Sequence, residues 1–133
     1  MKMMISQPMG GKSEEEIRKD REFAVNCIIK SGNEHVESII NEEPNTKNIG
    51  LWYLGRSFEI MSNCDGVLFI GNWEKYRGCQ LEYLACQAYG IPTFLLTETE
   101  EMWVIEEFTL DFDGSFMSAV KKIDDLISGG DEE

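Results

Sequence analysis

Four uninterrupted apolar residues, Val67-Leu68-Phe69-Ile70, followed at once by Gly71-Asn72, constrain this chain more than any other stretch. A continuous apolar run puts hydrophobic surface on both faces of an extended segment, as in a strand covered from both sides. Gly71 and Asn72 end it, since both tolerate the backbone angles of a turn. From Gly78 onward Leu81, Leu84, Ala85 and Ala88 recur at helical spacing. Strand, loop and helix start are therefore contiguous, and open parallel sheets bind ligands at such junctions. Glu82 lies one turn beyond Gly78 on the same helix face, so its carboxylate rises above a residue without a side chain. That spacing leaves room for a small molecule.

The remaining elements follow in order. Residues 3–6 read as a first buried strand, ended by Gln7-Pro8-Met9-Gly10-Gly11. Ser13-Glu-Glu-Glu16 fits a capping box, and Ile17, Ala24, Val25, Ile28 and Ile29 give the next helix its apolar stripe. A strand, a two-glycine loop and a helix start present backbone N–H groups to an anion. Gly10-Gly11 nevertheless matches neither phosphate-loop pattern, and a plain tight turn accounts for it equally well. Residues 35–40 are expected as a second strand and 41–48 as a loop. Residues 49–64 are expected as a helix with Leu51, Leu54, Phe58 and Met61 on one face. Trp52 and Tyr53 on its other faces either pack against a neighbour or flank a ligand pocket. Residues 93–96 and 102–108 supply two more strands, the last an exposed edge with Trp103 and Glu106-Glu107. Residues 114–128 read as a closing amphipathic helix. Alternating strands and helices predict one α/β domain over residues 1–128, with 129–133 an acidic disordered tail. The expected architecture is flavodoxin-like, a doubly wound five-stranded parallel sheet in the order 2-1-3-4-5.

Composition narrows the function classes. A chain of 133 residues is large enough for one core, and no stretch approaches the roughly 20 apolar residues of a membrane span. The first six residues are too short and strand-like for a secretory signal. The four cysteines lack Cys-x-x-Cys spacing and there is a single histidine, so reduced cytoplasmic thiols are expected and a metal is not. The net charge is −13, and ten of those charges fall in residues 98–133. No basic stripe exists to neutralise a polymeric nucleic acid. A small phosphorylated ligand stays compatible with Lys12, Arg56 and Arg77. The acidic end serves solubility on the simplest reading, or a protein contact on a weaker one.

Five motifs occur in a recognisable order: Ile5-Ser-Gln-Pro-Met-Gly10, Leu51-Trp-Tyr-Leu-Gly-Arg-Ser57, Cys64-Asp65, Gly71-Asn-Trp-Glu74 and Arg77-Gly78-x-x-x-Glu82. Together, over about residues 3–96, they resemble the nucleoside 2-deoxyribosyltransferase-like superfamily, above all its small bacterial and phage members. The resemblance implies that Glu82 attacks the anomeric carbon of a deoxyribosyl group, forming a glycosyl-enzyme intermediate resolved by a second base or by water. Near a helix start Glu82 is expected to stay ionised, as a nucleophile must. Ser6, Gln7, Pro8, Met9 and Gly10 would hold the sugar or base, Asn72, Trp73 and Tyr76 would shape the base end, and Arg77 beside Gly78 would meet an anion. The family also implies symmetric oligomers, with Trp52, Tyr53, Trp103 and Phe112 as candidate contacts, and no cofactor. Two positions depart from the pattern. Ser57 stands where the enzymes carry an aspartate, and a serine can bond a sugar hydroxyl but cannot act as an ordinary acid. Tyr76 stands where nucleotide-hydrolysing members place a phosphate-contacting serine. Two readings follow. One is deoxyribosyl transfer or N-glycosidic hydrolysis on a deoxynucleoside or its 5′-monophosphate, with Glu74 or Tyr76 as substitute proton donor. The other is non-catalytic binding or sequestration of a nucleotide or nucleotide-derived signal, in a protein that can be phage-encoded.

Overall fold

The structure is a computed structural model and describes residues 1–110. The helix expected over residues 114–128, the tail 129–133 and Phe112 lie outside the described residues. Five strands form one sheet: β1 (Lys2–Ser6), β2 (Glu34–His35), β3 (Gly66–Phe69), β4 (Thr93–Glu98) and β5 (Trp103–Glu107), in the spatial order β2-β1-β3-β4-β5. Between them lie α1 (Glu14–Lys30), α2 (Ile49–Met61) and α3 (Arg77–Tyr89), with a 3-10 turn at Trp73–Lys75.

The apolar run behaves as its composition demands. On one sheet face Val67 and Phe69 of β3 and Met4 of β1 pack with Met61 of α2 and Cys79, Tyr83 and Cys86 of α3. On the other, Leu68, Ile70, Met3 and Ile5 pack with Ala24 and Ile28 of α1 and Phe94 of β4. Alternation within each strand sends successive side chains to opposite layers, so both must be apolar. Each fully buried side chain of this kind contributes on the order of 1.5–3 kcal/mol. Gly71 (φ 65°) turns the chain out of β3 through a backbone region that side-chain-bearing residues avoid.

The strand order agrees with the expected one, but the sheet is mixed. β1 pairs in parallel with β2 and β3, and β3 with β4, whereas β5 runs antiparallel to β4, from Phe94 opposite Glu107 to Glu98 opposite Trp103. Connection length explains it. Residues 99–102 are too few for a parallel crossover, which takes about a dozen residues or more. They close a hairpin in which Thr99 Oγ1 accepts from the Met102 N–H at 3.1 Å and donates to its carbonyl at 2.6 Å.

The second strand is much shorter than the expected 35–40. The Val36 N–H still reaches the Met3 carbonyl (2.8 Å), but the N–H groups of Ser38 and Ile39 turn to the Glu37 carboxylate at 3.0 and 2.9 Å. That local bond competes with the ladder and ends it. The second helix stops at Met61, short of residue 64.

The expected stripes of α1 and α2 face inward except at one residue each, and that of α3 is rotated. On α1, Arg21, Ala24 and Ile28 are buried while Ile29 is 58 % exposed. On α2 Leu51 is 63 % exposed, and on α3 the buried set is Cys79, Glu82, Tyr83 and Cys86, with Leu81 turned outward. Each helix carries apolar residues on more than one face, and packing chooses among them. Half of the expected capping box forms: Ser13 Oγ accepts from the Glu16 N–H at 3.1 Å, while the Glu16 carboxylate takes the Ser13 hydroxyl rather than a backbone donor.

Candidate functional site

Ser6 is the last residue of β1 and points to the same layer as Met4, toward α2 and α3. There its hydroxyl donates to Glu82 Oε1 at 2.6 Å. Ser57, two turns into α2, lies close enough for its hydroxyl to act on the Glu82 carboxyl. Three elements thus deliver one carboxyl and two hydroxyls to a single point. Glu82 is 8 % exposed, the one buried acid among the described residues.

This point forms the floor of a cavity of about 470 Å³, within the range of small-molecule sites. Its walls come from the loop after β1 (Gln7, Pro8, Met9), the segment after β2 (Ser38, Ile39, Ile40), α2 (Gly50, Tyr53, Leu54, Ser57) and the start of α3 (Tyr76, Gly78, Cys79). A Cβ placed on Gly78 meets nothing within 4 Å, so the space above it is open. Across the rim, the Tyr76 hydroxyl donates to the Gly10 carbonyl at 3.0 Å, tying the first loop to the start of α3.

Electrostatics differ from the sequence expectation for Glu82. Burial pushes its carboxyl above the usual range, and the hydroxyls of Ser6 and Ser57 pull it only partly back. A helix start was expected to keep it ionised, but the helix partial charge is modest beside the cost of desolvating a carboxylate. Burial likewise pushes the neighbouring Cys79 thiol up to about 11, so it stays protonated at neutral pH and does not compete as a nucleophile. All four cysteines are unpaired thiols.

The sequence-nominated residues divide into groups. Ser6 bonds Glu82 directly, and Ser57, Pro8, Met9, Tyr76 and Gly78 line the same cavity. Gln7 lines it too, but its side-chain amide is turned into α1: Nε2 donates to the Ile17 carbonyl (2.7 Å) and Oε1 accepts from Arg21 (3.2 Å). Gly10 contributes its carbonyl to Tyr76. Arg77 is exposed at the rim, with Nη2 3.6 Å from where a Cβ on Gly50 would lie. Asn72 and Trp73 are not brought to the cavity. Trp73 is 3 % exposed and packs among Phe69, Tyr83 and Phe108, because a large aromatic beside β3 gains more from the core than from a polar rim. Glu74 lines a separate hollow with Trp73. Asp65 accepts from the Lys2 N–H at 2.8 Å, joining the starts of β1 and β3 far from the cavity.

Several wall residues escaped the sequence reading, notably Arg21, Ile39, Ile40 and Cys79. Arg21 carried a signal, since it interrupts the apolar stripe at the spacing of Ala24 and Ile28. A larger hollow of about 740 Å³ lies between α1 and the segment after β2 and shares Met9, Arg21 and Ile39 with the first. The smaller one holds the buried acid, and chemistry favours it over volume.

Fold and site together define a class: a mixed-sheet α/β protein with a carboxyl-floored, small-molecule-sized cavity at the carboxyl end of its first strand. No family model, curated protein or solved structure matches the chain.

Proposed function

We propose that this protein breaks or transfers the N-glycosidic bond of a deoxynucleoside or its 5′-monophosphate, with Glu82 as nucleophile. One observation carries the reading: the single buried acid among the described residues floors a small-molecule-sized cavity beside the open space at Gly78. A Glu82 oxygen forms a bond to the anomeric carbon as the carbon–nitrogen bond breaks. The electron pair leaves on the base nitrogen, which takes up a proton from the Tyr76 hydroxyl on the cavity wall or from water. Water, or the nitrogen of a second base, then opens the sugar ester and frees Glu82. Positive charge developing on the sugar carbon offsets the burial that disfavours the carboxylate. Tyr76, Tyr53, Ile39 and Ile40 are left to form the base end, and Arg77 at the rim suits a phosphate. The test is incubation with each deoxynucleoside and deoxynucleotide, reading free base by chromatography. Glu82→Gln is expected to lower base release on the order of 10³-fold or more.

A second reading, binding or sequestration of a nucleotide or nucleotide-derived signal without turnover, has an observation of its own. Glu82 is the one carboxyl on the cavity wall among the described residues, and Ser57 cannot serve as the second acid. A buried carboxyl held by the Ser6 hydroxyl, with Ser57 on the same wall, is then a hydrogen-bonding group for sugar hydroxyls. Tight binding with no base released selects this reading over the first.

A homo-oligomer and a cytoplasmic setting belong to the same proposal. Exposed Ile49, Leu51 and Tyr53 on α2 support the first, and four unpaired thiols the second. Among the described residues no helix is long and apolar enough to cross a membrane.

A further inference from the structure

We propose that Arg21 is a positioning residue that sets the shape of the Glu82 cavity by holding two of its walls at once; the inference rests on reading that cavity as the ligand site. Arg21 lies on α1 with only 6 % exposure, and its hydrogen bonds leave the helix in two directions. Nη1 donates to Gln7 Oε1 at 3.2 Å, on the loop after β1. Nη2 donates to Glu37 Oε1 at 2.6 Å and to Ser38 Oγ at 3.0 Å, on the segment after β2.

Each contact is extended by the residue that receives it. Gln7 passes the constraint to Pro8 and Met9, because the other end of its amide is held by the Ile17 carbonyl at 2.7 Å. Glu37 Oε1 also accepts the N–H groups of Ser38 and Ile39, and the Ser38 hydroxyl donates to the Ile5 carbonyl at 3.1 Å. The segment carrying Ile39 and Ile40 has left the strand ladder by this point, so side-chain bonds through Arg21 and Ser38 fasten it to the sheet. Burial acts to raise the Glu37 carboxyl, but the Ile39 N–H and the Arg21 charge together hold it below its usual range, so the pair stays ionised at neutral pH.

The residue type fits the task. A guanidinium is a planar fork that reaches acceptors on two segments, whereas an ammonium is a point charge on one stem. Arg21 makes no hydrogen bond to Glu82, so its effect on a ligand passes through the walls.

The experiment compares Arg21→Met, Arg21→Lys and Glu37→Gln with the unchanged protein by backbone amide exchange, denaturant unfolding and titration with deoxynucleosides and their 5′-monophosphates. Arg21→Met is expected to speed exchange at Ser38 and Ile39 about tenfold or more relative to Val67–Phe69, and to weaken binding about tenfold. Arg21→Lys is expected to fall between, keeping the contact to Glu37 and losing that to Gln7. If Arg21→Met does not fold, Arg21→Lys and Glu37→Gln carry the same comparison. Unchanged exchange at Ser38 and Ile39, acceleration spread evenly into β3, or loosened walls with unchanged affinity would each overturn the proposal. Failure of the unchanged protein to bind any deoxynucleoside or deoxynucleoside 5′-monophosphate sinks the ligand reading instead, and the exchange pattern still decides whether Arg21 holds the walls.

Discussion

Glu82 combines features that oppose one another at the level of a single side chain. Its place in α3 turns it toward the core with Cys79, Tyr83 and Cys86, where an apolar residue would normally sit. The hydroxyls of Ser6 and Ser57 favour the charged form, but burial outweighs them and raises the carboxyl above its value of 4.5 in an unfolded chain. The folded protein therefore binds this proton more tightly than the unfolded chain does. The stability contributed by the neutral acid is complete below about 4.5 and is lost as pH rises through the folded value. Glu82→Gln, which cannot ionise, is accordingly expected to be more stable than the unchanged protein at pH 7, with the gap closing at pH 4. Urea unfolding at the two pH values checks this, and an equal gap at both would contradict it. The substitution proposed to abolish base release would thus relieve the fold, the pattern expected if Glu82 is held for function rather than for stability.

At the scale of elements, β3 leaves room for a side chain of its neighbour β4. Gly66 opens the strand, and a Cβ there would stand 2.7 Å from Cε1 of Phe94 and 3.3 Å from Cδ1. Phe94 is buried with Leu68 and Ile70, so its ring has little freedom to retreat. Gly66→Ala is expected to cost about 1–3 kcal/mol by overpacking. Phe94→Leu in the same chain should recover part of that loss, a coupling that denaturant unfolding of the four variants resolves. The doubly covered apolar run of β3 was legible in the sequence, whereas alternation alone predicts a parallel β5 and leaves the shortness of residues 99–102 unweighed against the span of a crossover. The truncation of β2 was harder to see. It depends on Glu37 capturing two backbone N–H groups, and a pattern of apolar residues carries no trace of that.

For the whole molecule, the proposed assembly makes a direct prediction. α2 exposes Ile49 (53 %), Leu51 (63 %) and Tyr53 (37 %) on a helix whose remaining faces cover the sheet and the cavity. The outer strand β5 presents Glu106 and Glu107, charges that discourage edge-to-edge pairing. A second copy is therefore expected to meet α2. Sedimentation should find an oligomer for the unchanged chain and a monomer for Leu51→Glu, and a monomer in both cases removes the assembly from the proposal. Tyr53 belongs to both the exposed face and the cavity wall, so assembly and ligand binding are expected to change together.

The amino-acid sequence by itself determined the alternation of strands and helices, the strand order, the doubly covered third strand and the closeness of Glu82 to Gly78, because these depend on spacing along the chain. Only the tertiary structure decided that α3 turns Cys79, Glu82, Tyr83 and Cys86 inward rather than the face of Leu81, since several faces compete and packing against the sheet selects one. It also decided that Trp73 belongs to the core, that Ser6 and Ser57 converge on Glu82, and that Arg21 braces the walls around them. Those outcomes join segments far apart in the chain through hydrogen bonds and desolvation, quantities that exist only once the layers have closed.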